Sequence, residues 1–241
     1  MRRMLSSEWL KLRKSSVWLL IFVSPLLATF VGYVEKSEGD YNPWFVTIAF
    51  MSFIHALLFL PLLTGVFSAF VCRYEHIGGG WKQLLAMPVS RASVYFAKFL
   101  LVLILLAGAQ LLFLGGLLCI GWMKGYSVPI PWDEVIQSVL GGWFACFPLV
   151  ALQMFVSVAW SSFAAPLAIN VVFTIPNILV VNSAKYGPIY PWAQPFISMM
   201  GASDDKFGAL NVSLETLLFV ILGSFLLFLA AGFTYFMRKE I

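Results

Sequence analysis

Charge is what this sequence most lacks. Only 11% of its 241 residues are Asp, Glu, Lys or Arg, and 61% are hydrophobic. A soluble domain carries roughly 25% charged residues and about half apolar ones. So few charges cannot cover a globular surface, and lipid must be the solvent. Cysteine is scarce as well: Cys72, Cys119 and Cys146 all lie in or at the ends of apolar runs. An odd count without a C-x-x-C pair supports neither a disulfide framework nor a zinc site, which leaves them as small packing residues. Catalytic signatures are missing too. There is no H-E-x-x-H and no G-x-S-x-G, and Gly78-Gly79-Gly80-Trp81-Lys82 lacks the spacing of a phosphate loop. The chain is not expected to be an enzyme, to hydrolyse ATP by itself, or to bind a cofactor or metal. Nothing in it points to nucleic acid.

What it has is long apolar runs. Six stretches are long enough to cross a hydrocarbon core, which needs roughly 17 to 25 helical residues: 16–34, 44–72, 94–122, 135–160, 166–184 and 214–237. The fold class is all-α, a polytopic membrane protein with six transmembrane helices in a single transmembrane domain over 1–241. Pro61 is a candidate kink in the long second span. The spans are read as free of Asp, Glu, Lys and Arg, with Lys98 counted among the charges at their ends. Lys and Arg divide unevenly between the two sides. Arg2, Arg3, Lys11, Arg13, Lys14, Arg73, Lys82, Arg91, Lys98, Arg238 and Lys239 fall on one side, and Lys36, Lys124, Lys185 and Lys206 on the other. Positive residues are retained in the cytoplasm, so both termini are expected there.

No small-residue cleavage site follows the first apolar run, so a cleaved signal peptide is not expected. Residues 1–15 read as a short interfacial helix, with Met1, Leu5, Trp9 and Leu12 on one face and Glu8 interrupting it. A plain basic stop ahead of the first span is the alternative. At depth the polar residues are His55, Gln110, Gln153, Asn170 and Asn177. His55, Gln110, Gln153, Asn170 and the outer Trp192 are candidates for a substrate path. The same residues could equally hold helix to helix, contacts worth roughly 0.6 to 2 kcal/mol. Segment 185–213 carries Pro188, Tyr190, Pro191, Trp192, Pro195 and Phe196, a composition suited to short re-entrant or interfacial helices. Gly115-Gly116 and Gly141-Gly142 permit close helix packing without locating it.

The loop 73–93 is the most informative segment. Trp81, Leu84 and Leu85 share one side of a short helix, Pro88 ends it, and Ser90 can cap the helix that follows. An apolar-faced helix between two spans could plug a groove on a cytoplasmic partner or float on the headgroups. The run Glu75-x-x-x-Gly79-Gly80-Trp81-Lys82-Gln83-Leu84-Leu85-x-x-Pro88-Val89-Ser90-Arg91 resembles the E-x-x-x-G-[TS]-x-K-x-L-L-x-x-P-V-S-R pattern of type-2 ABC exporter permeases. Glu8-Trp9-Leu10-Lys11-Leu12-Arg13-Lys14-Ser15 resembles the E-x-x-K-x-[KR]-[KR]-S opening of the same group, particularly its lantibiotic-immunity and bacitracin-resistance permeases.

The resemblance implies a bacterial plasma-membrane permease subunit that dimerises with itself or a paralogue. It would be driven by cytoplasmic ABC ATPase subunits that hold ATP and Mg, and would extrude an amphipathic peptide. It further implies that 73–93 holds a coupling helix facing the ATPase. Glu75 would anchor the end of the second span, Trp81, Leu84 and Leu85 would form the apolar face, Lys82 and Arg91 the rim, and His76, Gly79 and Pro88 the surrounding surface. Gly80, where Thr or Ser is usual, would loosen the turn. A non-transporting membrane sensor or assembly protein, recruiting a soluble partner through the same loop, is the alternative.

Overall fold

Lipid offers no partners for backbone N–H and C=O groups, so apolar runs in a bilayer must satisfy them internally. The computed structural model describes residues 2–36, 42–77, 79–200 and 208–239, and those residues form helices without a strand. Helix α1 spans Arg2–Arg13, and a 3₁₀ turn at Val17–Leu19 leads into α2, Leu20–Val34. Helix α3 (Pro43–Ile54), a π-helical turn (His55–Phe59) and α4 (Leu60–His76) form one rod. The short α5, Gly80–Ala86, precedes α6, Arg91–Lys124, and α7, Trp132–Ala159. Then come α8 (Ala164–Thr174), α9 (Asn177–Val180), α10 (Gln194–Met200), a 3₁₀ turn at Gly208–Asn211, and α11 (Leu214–Arg238). As expected, Ser90 caps α6, accepting from the Ser93 N–H at 3.2 Å.

Five stretches are long and apolar enough to cross a membrane: Val17–Val34, Pro43–His76, Arg91–Lys124, Trp132–Ala159 and Leu214–Arg238. The chain is a multi-pass membrane protein. The span expected at 166–184 is instead a shorter apolar pair, Ala164–Val180, broken where Pro176 has no N–H to continue the ladder.

Long-range hydrogen bonds sort the helix ends into two groups. At one end Lys11 meets Glu75, Lys98 meets Glu8, His76 meets the Ser157 carbonyl and Arg91 meets the last carbonyls of α11. At the other, Lys124 donates to the Gly32 and Glu35 carbonyls and Trp44 to the Val128 carbonyl. Both ends of the described chain therefore lie together, at the terminal end of the bundle. The chain leaves α7 at the terminal end and must return to it through α11, so residues 160–213 make the remaining crossing.

That crossing is held by the kinked rod. Pro61 cannot donate to the carbonyl four residues back, and the freed Leu57 carbonyl takes a 2.8 Å bond from Asn177 Nδ2 instead. One turn further along, Asn170 Nδ2 donates to the Pro61 carbonyl at 2.9 Å. The Asn170 side chain fits only because residue 65 is glycine, since a Cβ there would collide with it. The helix expected within 185–213 is α10, buried against α3 and α7: Phe196 meets Phe53 edge-on at 6.1 Å, and Gly141 and Gly142 lie against Ser198 and Met199. Gly116 likewise lies against Thr29, so three of the four paired glycines serve packing within the chain. Among the five long stretches the rod, α6 and α7 are the best covered, while α2 and α11 turn apolar faces such as Leu26, Phe30, Phe219 and Leu227 outward.

Candidate functional site

The loop between α4 and α6 folds back on the bundle. Gly79 takes a left-handed conformation (φ 74°), and Gly80 then passes so close to α4 that a Cβ would sit 2.8 Å from the Glu75 Cα and the Tyr74 carbonyl oxygen. Gly80 thus tightens the turn, the reverse of the expected loosening. The apolar face of α5 is turned inward. Trp81 and Leu84 are buried, with the Trp81 ring 5.3 Å from Phe236 and 5.6 Å from His76. The Trp81 indole N–H donates to His76 Nδ1 at 3.3 Å, and His76 Nε2 lies 2.7 Å from the Ser157 carbonyl. The two bonds together require a neutral imidazole with its proton on Nε2. Arg91 donates to the Met237 and Lys239 carbonyls at 3.0 and 2.9 Å, satisfying groups that a helix end leaves unpaired. The surface that α5 and its C-terminal turn present outward is Lys82, Gln83, Ala86, Met87 and Pro88. The Leu85 side chain lies outside the described residues.

Behind α5 sits a group that the sequence reading missed. Lys98 lies inside the third span and is 1% exposed, which corrects the expectation of charge-free spans. Its ammonium is 2.7 Å from Glu8 and 2.8 Å from Glu75, both nearly as buried. Lys11 bridges the other oxygens of the same two carboxylates, at 2.7 Å each. Two positive and two negative charges therefore balance within one ring of contacts. Burial disfavours the Lys11 charge, but the bonds from Glu75 and Glu8 outweigh it and hold its ammonium above the ordinary lysine range. The buried face of α1 is accordingly Met4, Glu8 and Leu12, with Trp9 exposed. Glu8 is the centre of that face and not an interruption of it. Glu75, expected near the ATPase at the end of the second span, pairs with Lys98 and Lys11 inside the chain.

The mid-depth candidates fall into two clusters. Gln110 lies twelve residues beyond Lys98, about 18 Å deeper along α6. His55 Nδ1 is 2.6 Å from Ser24 Oγ, and its ring stacks on Phe113 at 4.8 Å. Gln110 reaches Met199 Sδ at 3.6 Å. Separately, Asn170 Oδ1 accepts from Gln153 Nε2 at 3.1 Å and from Trp192 Nε1 at 2.8 Å, and Trp192 stacks on Phe173. Asn177 extends this second cluster through the Trp192 carbonyl. The polar members and Trp192 are buried within the chain, so in this conformation they join helices and do not line an open route.

The scaffold is therefore a bundle whose terminal end carries α1, a short re-folded loop helix and a balanced charge ring. A profile of the ABC-2 family transporter proteins matches residues 4–177, from α1 to the start of α9. The chain belongs to the ABC-2 transporter family. Among curated proteins, the bacitracin transport permease protein BCRB of Bacillus licheniformis is 25% identical over 194 residues, covering 78% of this chain and 88% of that protein. The ABC-2 match takes in Glu8, Lys11, Glu75 and Lys98 together with all of α5, so the charge ring and loop helix lie in the matched part of the chain. One sequence signal could have exposed the ring: an acid at Glu8, four residues from both Met4 and Leu12, on the face that meets the bundle.

Proposed function

We propose that this ABC-2 chain is the permease subunit of an exporter powered by cytoplasmic ABC ATPase subunits, which hold ATP and Mg, and that it works paired with a second permease subunit. The terminal end is cytoplasmic in this reading, as the eleven-to-four distribution of Lys and Arg favours. The observation that carries the proposal is α5. Its inner face is fixed to α4 and α11 through Trp81, while Lys82, Gln83, Met87 and Pro88 project from the bundle. A push on that outer face has a rigid path to the charge ring and the kinked rod. Trp81 and Leu84 then act as the root of the coupling helix, and the contact with the ATPase falls to Lys82, Gln83, Met87 and Pro88. The name of the Bacillus relative and the apolar outer faces of α2 and α11 support an amphipathic peptide antibiotic as substrate, extruded along the lipid-facing surface. The mid-depth polar clusters serve as joints in that cycle.

The test is co-purification of candidate ATPase subunits with the full chain, with an ATPase assay. Lys82→Glu and Met87→Asp, both exposed, should leave the thermal midpoint unchanged and weaken ATPase binding by tenfold or more. Trp81→Ala should lower the midpoint. If neither exposed change affects ATPase binding, the outer face of α5 is not the contact. If no ATPase associates under any condition, a sensor or assembly role takes the place of transport.

A further inference from the structure

The ends of α4 and α7 and the start of α8 enclose a cavity of about 130 Å³ that neither the charge ring nor α5 uses. Arg73 lines it. Among the described residues this guanidinium has no carboxylate partner; it lies over the Phe163 ring, 5.3 Å from the centroid. Ser157 lines it too, is 2% exposed, and its Oγ has no hydrogen-bond partner among the described groups. A buried hydroxyl left unpaired is costly unless something completes it. The third contributor is the N-terminus of α8, an eleven-residue helix whose first N–H is capped by Ser162 Oγ at 3.3 Å. Ser161 and Ser162 both line the cavity, so the positive end of the helix dipole opens onto it. Among the described residues no acid contributes to the lining, and His76 at its edge is neutral with both ring nitrogens engaged.

A free guanidinium, an uncommitted hydroxyl and a helix N-terminus suit a tetrahedral oxyanion. The position narrows its source. Trp160, half-exposed beside the cavity, is the residue type that marks the membrane–water boundary. Further along this segment Val171, Val172 and Ile175 are exposed apolar side chains, suited to contact with acyl chains. Ala69, Phe163 and Pro166 make the remaining wall apolar.

We propose that this cavity binds the phosphate of an anionic phospholipid from the leaflet at the terminal end, with Arg73 and the Ser157 hydroxyl donating to its oxygens and the lipid's apolar part following α8. The site stands whether or not the transport reading is correct. The test uses the full chain purified in a mild detergent, titrated separately with short-chain phosphatidylglycerol, short-chain phosphatidylcholine and inorganic phosphate. Binding is read by native mass spectrometry and by the thermal midpoint. Phosphatidylglycerol should leave a discrete adduct and raise the midpoint, and Arg73→Gln should weaken its apparent affinity about tenfold or more. Ser161→Asp, an exposed change that places a carboxylate at the mouth without touching the core, should do the same. If Arg73→Gln shifts the unliganded midpoint, Ser161→Asp alone decides. Equal binding of inorganic phosphate would make this a free-anion site, and equal retention of phosphatidylcholine would make it unselective lipid contact; either overturns the proposal. So would wild-type affinity in Ser161→Asp.

Discussion

Replacing Lys98 with Met keeps the length of the side chain and removes the charge that holds Glu8 against Glu75. In the wild type the ring of Glu8, Lys11, Glu75 and Lys98 is neutral. In the variant two carboxylates, 2% and 3% exposed, share Lys11 alone, a side chain that is 32% exposed and correspondingly weakened by solvent. Stranding a buried charge by removing its partner costs about 3–5 kcal/mol, and at about 1.4 kcal/mol per factor of ten the docked state of α1 should lose roughly a hundredfold to a few thousandfold in population. Hydrogen exchange of the α1 amides measures this directly, because their protection reports the local opening equilibrium. The ring also predicts a rescue. Adding Glu8→Gln to Lys98→Met leaves Lys11 and Glu75 as a balanced pair, so α1 protection should recover most of the loss even though one more ion pair is gone. Unchanged protection in Lys98→Met, or a double variant no better than the single, would show that charge balance is not what holds α1.

The kinked rod makes two further predictions. Asn177→Leu should leave the Leu57 carbonyl unpaired and lower stability by about 1–2 kcal/mol, the upper range for hydrogen bonds within membranes. Adding Pro61→Ala restores an N–H four residues from that carbonyl and should recover part of the loss, as read by thermal midpoints in a fixed detergent; no recovery would mean Asn177 acts elsewhere. Gly65→Ala should cost about 1–3 kcal/mol by overpacking against Asn170, and Asn170→Ala should suppress it. Additivity of those two changes would rule out the contact.

The apolar runs were legible in the sequence because bilayer thickness sets their length, and five of them fold as spans within a few residues of the expected ends. Ser90 was legible for the same local reason, a cap at the start of a helix. The charge ring was not. Lys98 is seven residues into its helix, which reads as an end-of-span cation, and its partners Glu8 and Glu75 lie 90 and 23 positions away, beyond any periodicity. Nor could periodicity orient α5: Trp81 and Leu84 at helical spacing mark an apolar face without saying whether it faces a partner or the chain's own core. The broken crossing was hidden because 166–184 is apolar enough throughout. What interrupts it is Pro176 together with asparagines whose partners are carbonyls on another helix.

That broken crossing also bears on biogenesis. As the chain is made, residues 164–180 reach the bilayer as a helix shorter than the other spans, with two side-chain amides on one face. Their acceptors, the Leu57, Pro61 and Leu62 carbonyls, belong to a rod synthesised about a hundred residues earlier. Pairing both amides inside the bilayer therefore needs the kinked rod beside the segment. The proline that leaves a carbonyl open in the second crossing thereby supplies one of the partners that the fifth meets inside the membrane.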